Sequence, residues 1–435
     1  MISDMSQPSV NNYYFFLTFF QTFLAVTFPV RLEPVSLFPY NASAAETRPA
    51  AEMNPSHCTR CSMRNLSRRF FLMLLSLVIL LPVLSAEASG SWQTFTESTV
   101  PDTLGFLVQE YTGTVTVTFL GDCTLGGEER SRSSASGFVR TIEKNGYGWP
   151  FRNLLTLTGS DDLTVANLEG VLSDRDLKKH RVRKEYNFIG PSAYTQILRE
   201  GSVECVTLAN NHSHDYDTVG YQDTKAALKD AGIAYFGTDC LAVWENEDGL
   251  LIGFLGVSGS LSGNRAKDYQ KKAELLKSIG CSAIITVMHA GTEYEYTPDA
   301  YQEQIVSQAV KAGCCLVVGH HPHVIHGFNI VEGIPVAYSL GNCSFGGNAR
   351  PRDFDALALR ADLHFEEGIL TGTTLHFYPL SISGSSRTND YSPVFLKGAE
   401  AERVLRKMTD STGFDLGSFD ESAGAVITVP ALSAD

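Results

Sequence analysis

The most restrictive feature of this sequence is a series of short apolar, β-branched runs that alternate with helix-like segments from residue 114 onward. Continuous apolar runs of this length are typical of strands that are covered on both faces. The predicted strands are 114–120, 163–168, 203–209, 250–257, 283–288, 315–318 and 335–340. The predicted helices between them are 191–200, 218–231, 265–279 and 298–312. This alternation predicts a layered α/β fold.

The pattern changes after residue 350. Two alternating strands, 356–365 and 369–379, are predicted to form a hairpin through Glu367-Gly368. A helix at 397–409 and a weakly structured tail complete the chain. The predicted organisation is therefore a linker rich in Ser, Thr and Glu at 89–112, a principal domain at 113–385, and a C-terminal helix and tail at 386–435.

The first part of the chain has the features of an export leader. Residues 12–30 are almost entirely apolar and long enough to cross a bilayer. A second apolar run at 70–84 follows a twin-arginine pattern at 67–72 and precedes an A-x-A cleavage pattern at 86–88. Residues 63–88 are interpreted as a twin-arginine signal or an uncleaved anchor, and 1–62 as an upstream extension or an extra hydrophobic segment. We therefore expect an exported, extracytoplasmic protein, either secreted or membrane-anchored.

Charge and cysteine content exclude several function classes. The formal net charge is -14, from 34 Lys plus Arg and 48 Asp plus Glu, so nucleic acid is not expected as a partner. The 9 cysteines are too few for a disulfide-built fold of this size and form no paired zinc framework. An odd number lies beyond the leader, which predicts at least one free thiol. Most of these cysteines are interpreted as small core residues.

Side chains that bind metals follow the apolar strands at their carboxyl ends, where α/β folds place their active sites. Taken singly, each has an ordinary explanation, such as a turn or a helix cap. Four histidines within seven residues, 320–326, are harder to explain as core residues. Together the strand ends predict a metal site. The residues concerned are Asp122, Asn167, Glu169, Asn210, Asn211, His212, His214, Asp215, His289, Glu293, His320, His321 and His323.

Each residue type suits one task in such a site. Asp122 and Glu169 offer hard anionic oxygens, and Glu169 could bridge two cations; Asn211 offers a neutral carbonyl oxygen. His289 and two imidazoles of the 320–323 group suit a borderline ion, so one or two divalent ions (Mn, Zn or Fe) are expected. Such ions would activate a water and neutralise phosphoryl oxygens.

General acid chemistry is assigned to the turn that follows the third predicted strand. His212 is expected to protonate the leaving group. Asp215 is expected to orient this imidazole by accepting its other N–H.

Other motifs are weaker. Residues 256–260 nearly match a serine nucleophile elbow, but Ser260 replaces the last glycine, which argues against serine hydrolysis. No intact Walker loop or GxGxxG motif follows a strand. The basic run of 178–184 is either a solvated face or a segment that draws an anionic substrate towards the site.

Six motifs in this order resemble the CapA/PgsA capsule-synthesis family, which is associated with poly-γ-glutamate production. The resemblance covers roughly residues 114–380. The motifs are FLGDCTLGG at 119–127, VANLEG at 165–170, LANNHSHDY at 208–216, HAGTEY at 289–294, GHHPHVIHG at 319–327 and YSLGN at 338–342.

The resemblance implies the metallophosphoesterase-like fold, a four-layer α-β-β-α sandwich of two mixed sheets. Asp122 matches the opening Gly-Asp motif, Glu169 stands where a bridging aspartate is common, and Asn211-His212 matches the Gly-Asn-His motif. His289 matches the isolated histidine ligand, and His321 with His323 matches the closing Gly-His-x-His. The predicted ligands are therefore Asp122, Glu169, Asn211, His289, His321 and His323, and the predicted catalytic residues are His212 and Asp215.

Three positions depart from the patterns of these families. Thr124 stands where metallophosphoesterases usually have a second ligand histidine, and the bridging acid is Glu169 rather than an aspartate. Cys343 stands where the capsule family usually has an aromatic residue.

The main functional prediction is an exported CapA-like protein that takes part in poly-γ-glutamate synthesis through a metal-dependent, phosphoesterase-like hydrolase site. The expected substrate is an anionic polymer or a phosphate ester. One alternative is a non-catalytic partner of a membrane polymer synthase. Another is a secreted phosphatase or nucleotidase without a capsule role.

Overall fold

The computed structural model describes residues 90–96, 110–131 and 134–431. The bounds of its strands are β1 (Gly90–Phe95), β2 (Gly113–Thr124), β3 (Leu163–Leu168), β4 (Val171–Leu172), β5 (Ile189–Gly190), β6 (Cys205–Thr207), β7 (Ala234–Phe236), β8 (Leu241–Asn246), β9 (Leu251–Ser258), β10 (Cys281–His289), β11 (Leu316–His320), β12 (Phe328–Val331), β13 (Ile334–Ala337), β14 (Asn342–Phe345), β15 (Asp355–Glu366), β16 (Ile369–Ser381), β17 (Val394–Phe395), β18 (Phe419–Asp420) and β19 (Gly424–Pro430). The α-helices are α1 (Phe138–Asn145), α2 (Leu155–Thr158), α3 (Thr195–Glu200), α4 (Asp217–Asp230), α5 (Gly263–Ser278), α6 (Ala300–Ala312) and α7 (Gly398–Thr412).

Two large mixed sheets form the centre of the fold. A 7-stranded sheet has the order β1-β8-β9-β10-β11-β13-β12, and a 10-stranded sheet contains the path β18-β19-β16-β15-β2-β3-β6-β7. Strands β9, β10, β11 and β13 are parallel in the first sheet, and β2, β3, β6 and β7 are parallel in the second; antiparallel strands extend each parallel block.

Helices cover the outer faces of both sheets. Phe119 and Phe254 belong to the apolar core between the sheets. On the other face of the 10-stranded sheet, Leu228 of α4 packs into a second core. Leu276 of α5 and Ile305 of α6 pack against the 7-stranded sheet. The predicted four-layer α-β-β-α arrangement of two mixed sheets is therefore confirmed.

Every strand and helix predicted from the sequence has a counterpart, with small shifts at the ends. The main difference at a functional position is β2, which continues to Thr124 and so includes Asp122 as a buried strand residue. Helix α6, predicted at 298–312, begins at a capping box formed by Asp299 and Gln302 and ends at Gly313 in the left-handed conformation.

Two segments differ from the prediction. Residues Gly90–Phe95 belong to the predicted linker, yet they form β1 and pair antiparallel with β8. Residues Gly424–Pro430 belong to the predicted weak tail, yet they form β19 on the edge of β16. Both segments gain strand structure from the ladder of a neighbouring strand, which local composition does not reveal.

The seven cysteines beyond the leader are free, and five of them are buried. The prediction of free thiols and small core cysteines is thus confirmed for the described part of the chain.

The predicted localisation is contradicted. Among the described residues, no helix combines the length and the apolar character that a bilayer crossing needs. The two apolar runs on which the prediction of export and anchoring depended, 12–30 and 70–84, lie outside the described residues, as do the twin-arginine and cleavage patterns.

Candidate metal centre

The carboxyl ends of strands from both sheets meet at one edge of the molecule and bring the predicted site residues together. Asp122 comes from β2, Glu169 directly follows β3, and His323 follows β11. One ligand atom from each of these three buried residues lies within 4.8 Å of the others. A group of carboxylate and imidazole ligands this close together could hold a metal ion.

Asp122 is completely buried and surrounded by donors. Its Oδ1 accepts a hydrogen bond from Asn167 Nδ2 at 2.7 Å, and its Oδ2 accepts one from the backbone N–H of His321 at 3.2 Å. His320 Nδ1 and His323 Nδ1 each lie 3.4 Å from one of its oxygens. Burial alone would raise the pKa of Asp122, but these two imidazoles outweigh it and hold the pKa well below its usual range. Asp122 is therefore anionic, as its predicted role as a ligand requires.

Glu169 is also completely buried, but neither of its oxygens has a hydrogen-bond partner among the described residues. Its Oε1 lies 3.6 Å from His289 Nε2 and 3.8 Å from His212 Nε2. Burial raises the pKa of Glu169, and the nearby charge of Asp122 adds to this effect. A buried carboxylate without donors is costly, and a cation between it and the imidazoles would remove that cost.

His289, the last residue of β10, is held from two sides. Its Nδ1 lies 3.1 Å from Asn167 Nδ2, and its Nε2 lies 2.8 Å from Asn211 Oδ1 and 3.1 Å from His321 Nδ1. Burial lowers the pKa of His289 well below its usual range, so its imidazole is neutral, the form that binds metals. The isolated histidine of the sequence is thus in direct contact with two other predicted ligands.

The closing histidines lie on a strained turn after β11. His321 and His323 have φ values of 102° and 58°, in the region that favours glycine. His323 Nδ1 lies 2.9 Å from Asn342 Oδ1. Burial would lower the pKa of His323, but the charges of Glu169 and Asp122 raise it overall. This backbone strain accompanies the placement of two closely spaced imidazoles beside the other predicted site residues.

His212 and Asp215 form a hydrogen-bonded pair beside Glu169. His212 Nδ1 lies 2.8 Å from Asp215 Oδ2, which also accepts the backbone N–H of Phe188 at 2.6 Å. Lys184 forms an ion pair with the other oxygen of Asp215. Burial lowers the pKa of His212, although its hydrogen bond to Asp215 opposes this. The pair leaves Nε2 of His212 on the side of Glu169.

Buried amides join these groups, and sequence reasoning gave them little weight. Asn167 Nδ2 donates to Asp122 Oδ1 and lies 3.1 Å from His289 Nδ1, while its Oδ1 accepts from Asn210 Nδ2 at 3.0 Å. Asn210 Oδ1 in turn accepts the backbone N–H of His212 at 3.0 Å. The positions of Asn167 and Asn210 at strand ends were a visible signal, but amides at such positions are usually turn residues.

Two further positions bear on the centre. His320 is buried, and its Nδ1 has no hydrogen-bond partner among the described residues although it lies 3.4 Å from Asp122 Oδ1. Thr124, at the position where a second histidine is usual, is buried with an unpartnered hydroxyl within the described part of the chain. The structure does not explain Cys343 in place of an aromatic residue.

The residues present therefore fit a divalent ion, because the unpartnered buried carboxyl group of Glu169, the anionic Asp122 and the His323 imidazole lie close together. All eight predicted site residues belong to this cluster. Their roles as ligands or as an acid stay predictions.

Comparisons with known proteins agree with these motifs. A family model described as "Bacterial capsule synthesis protein PGA_cap" matches residues 116–346, which include every predicted site residue. The chain is 26% identical over 360 residues to the capsule biosynthesis protein CapA of Bacillus anthracis, covering 77% of this chain and 81% of that relative. It is 26% identical over 260 residues to the PGA biosynthesis protein CapA of Bacillus subtilis (strain 168), covering 55% of this chain and 66% of that relative. Among solved structures, the crystal structure of TT1561 of Thermus thermophilus is similar with a TM-score of 0.35 and 9% identity, covering 60% of this chain and 98% of that chain.

Proposed function

The chain belongs to the bacterial capsule synthesis protein family, and from this premise we propose that it acts in poly-γ-glutamate synthesis as a metal-dependent phosphoesterase-type enzyme. The observation that carries the chemical part is Glu169. Its two buried oxygens lack donors among the described residues, while His212 and His289 lie 3.8 and 3.6 Å from Oε1. The capsule part is supported by the relatives, which are named for capsule and PGA biosynthesis.

Asp122, Glu169 and His323 would hold the ion, with Asn211, His289 and His321 as the remaining ligands. When bound, a divalent ion would neutralise phosphoryl oxygens and lower the pKa of a water molecule. Asn167 keeps Asp122 in place because its amide donates to the carboxylate, and the same Nδ2 contacts His289 Nδ1 at 3.1 Å. The carboxylates would thus hold the ion, and the imidazoles would face a phosphate ester.

His212 provides the proton in this proposal. Asp215 accepts its Nδ1–H and so leaves Nε2 free to protonate the oxygen of the leaving group. Asp215 is fixed by the Phe188 backbone N–H and by Lys184, so the imidazole has one orientation. A bound phosphate anion favours the protonated imidazole, which opposes the effect of burial on the pKa of His212.

The test is hydrolysis of an aryl phosphate with added Mn²⁺ or Zn²⁺, together with metal analysis of the purified protein. We expect turnover that chelation removes, a loss of bound metal in Glu169→Gln, and a fall of roughly 10²–10⁴-fold in the rate of His212→Ala with metal content retained. Glu204→Gln is the matched control, because Glu204 is a second poorly exposed glutamate whose pKa is raised. It should keep both turnover and metal. Wild-type turnover that survives chelation would contradict the proposal.

A second candidate is a non-catalytic partner of a membrane polymer synthase. Thr124 favours it, because a hydroxyl replaces an imidazole next to Asp122 and leaves the centre with fewer nitrogen ligands. In this case neither wild type nor His212→Ala would hydrolyse the aryl phosphate, while deletion of the chain would still abolish polymer formation.

A further inference from the structure

Residues 178–184 form a basic segment, which we call the basic strap. It lies beside the turn that carries His212 and Asp215. Its two ends are fixed by packing and hydrogen bonds. Leu177 is buried in a small apolar cluster with Val171, Ile189 and Tyr216. Beyond the other end, Asn187 donates to the carbonyl oxygens of Val182 and Asp215. The strap is therefore an ordered part of the site's surroundings.

The strap is directly bonded to the turn that carries His212. The backbone N–H of Val182 donates to the carbonyl oxygen of Asp215 at 3.0 Å. Lys184 Nζ donates to the carbonyl oxygen of Asn211 at 2.8 Å and pairs with the Asp215 carboxylate. The Lys184 end of the strap therefore lies at the site itself.

Three of the five cations of the strap form no strong ion pair within the described part of the chain. The strap contains five Lys or Arg residues and no acidic residue, in a chain whose net charge is -14. Lys179 and Arg183 are exposed and have no ion-pair partner within the described part of the chain. Lys178 is 3.6 Å from the exposed Glu129, a distance and exposure at which an ion pair contributes little. Asp174, Asp176 and Glu185 are the acidic residues nearest to the strap along the chain.

Val182 lies between two of these cations, and Tyr186 follows the strap after Glu185. Val182 is 41% exposed and Tyr186 is 44% exposed, and the Tyr186 ring stacks on Phe188. A ligand that matches this surface has anionic groups separated by short apolar spacers. A nucleic acid fits less well, because its dense phosphate charge requires a broad basic footprint that this acidic protein lacks.

We propose that the basic strap binds a chain of regularly spaced carboxylates, such as poly-γ-glutamate, and leads it to the metal centre. The proposal rests on the proposed function, because it names the polymer on which that site would act. Its cations attract the carboxylates, and the spacers of the polymer lie against Val182 and Tyr186. Lys184 contacts Asn211 and Asp215, so it would be the last cation of the strap that the polymer meets before the metal centre.

The experiment measures binding of oligo-γ-glutamate at low ionic strength with a chelator present, so that neither metal nor turnover affects the result. The strap variant is Lys178→Gln/Lys179→Gln/Arg183→Gln, which leaves Lys184 and the Arg181–Asn187 hydrogen bond intact. The control variant, Lys267→Gln/Lys271→Gln/Lys311→Gln, removes the same charge from exposed positions on α5 and α6.

We expect the strap variant to bind oligo-γ-glutamate roughly tenfold more weakly, with a shallower salt dependence, and the control variant to differ by roughly twofold at most. Equal losses in both variants, or no loss in the strap variant, would overturn the proposal. So would tighter binding of a single-stranded oligonucleotide of equal charge. Aryl phosphate turnover with metal, measured separately, should be unchanged in the strap variant. A failure of the phosphoesterase proposal would appear there and not in the binding assay.

Discussion

Glu169 and Glu204 are both poorly exposed, but their surroundings differ. Burial raises the pKa of Glu169 and raises that of Glu204 to about 8. Glu204 Oε2 accepts the backbone N–H of Thr164 at 2.8 Å, whereas Glu169 has no donor among the described residues. Glu204 directly precedes β6, near the start of β3, while Glu169 follows the end of β3. Of these two glutamates, only Glu169 lies among imidazoles, so only Glu169 is expected to bind a cation.

Replacing Glu204 by Gln should stabilise the protein at high pH. The unfolded carboxyl ionises at about pH 4.3, whereas the folded one stays protonated up to about 8, so the wild-type free energy of unfolding falls as the pH rises between these values. The amide can still accept the Thr164 N–H. Glu204→Gln should therefore gain almost nothing at about pH 4 and on the order of 2 kcal/mol at about pH 8, measured by urea unfolding.

The exposed Glu247 supplies the control for that measurement. Glu247→Gln should change the free energy of unfolding equally little at both pH values. A gain in Glu204→Gln that is the same at low and high pH would show that burial does not raise this pKa.

At the site, the sequence was sufficient to find groups whose chemistry is distinctive. His321 and His323 belong to a histidine-rich stretch, which indicates metal binding. Asp122 and Glu169 were predicted as ligands because they follow predicted strands. Asn167 could not be assigned in the same way, because its role arises from three simultaneous hydrogen bonds to residues distant in the chain. Lys184 likewise was visible only as part of a basic run, and its contact with Asp215 depends on how residues 178–188 fold back.

Among elements, the β15–β16 hairpin offers the sharpest prediction. Glu367 and Gly368 have φ values of 51° and 76°, so both central residues of the turn are left-handed, as in a type I′ turn. Glutamate tolerates this conformation poorly, and asparagine tolerates it better. Glu367→Asn should raise the free energy of unfolding by about 0.5–1 kcal/mol, measured by urea unfolding.

Its counterpart is Gly368→Ala, which should lower the free energy of unfolding by about 1 kcal/mol or more because a Cβ is added at positive φ. The backbone N–H groups of Glu367 and Gly368 donate to Thr112 and Tyr111, and neither substitution removes them. Destabilisation by Glu367→Asn would argue against the left-handed turn.

Elements were predicted well where burial on both faces dictates composition. The runs that became β3, β9 and β10 are mostly apolar because both faces of each strand are covered. The hairpin followed from alternation and its Glu367-Gly368 turn. Strands β1 and β19 were missed, because polar residues interrupt the first and the second follows a segment rich in Gly and Ser. Edge strands depend on their partner more than on their own residues.

For the whole molecule, the decisive property is that the two sheets contribute different halves of the centre. Asp122, Glu169 and Asn211 come from the 10-stranded sheet, and His289 and His323 come from the 7-stranded sheet. The alternation of strands and helices predicted an α/β fold, and the resemblance supplied the division into two sheets. Periodicity could not assign strands to sheets, because all of them are buried runs of similar composition.

A bound divalent ion should therefore stabilise both sheets together. The chain has 3 tryptophans. Trp92 and Trp244 lie in the 7-stranded sheet, and the Trp149 indole donates to the carbonyl oxygen of Asp390, which lies between strands β16 and β17 of the 10-stranded sheet. Trp149→Phe and the double variant Trp92→Phe/Trp244→Phe thus give separate fluorescence probes. With Mn²⁺ or Zn²⁺ at about 100 times its Kd, both probes should report a gain of about 2.7 kcal/mol in the free energy of unfolding by urea. His289→Ala should abolish the gain at both probes, since its imidazole contacts ligands from both sheets. A metal-dependent gain at one probe alone would mean that the ion binds within one sheet and that the shared centre is wrong.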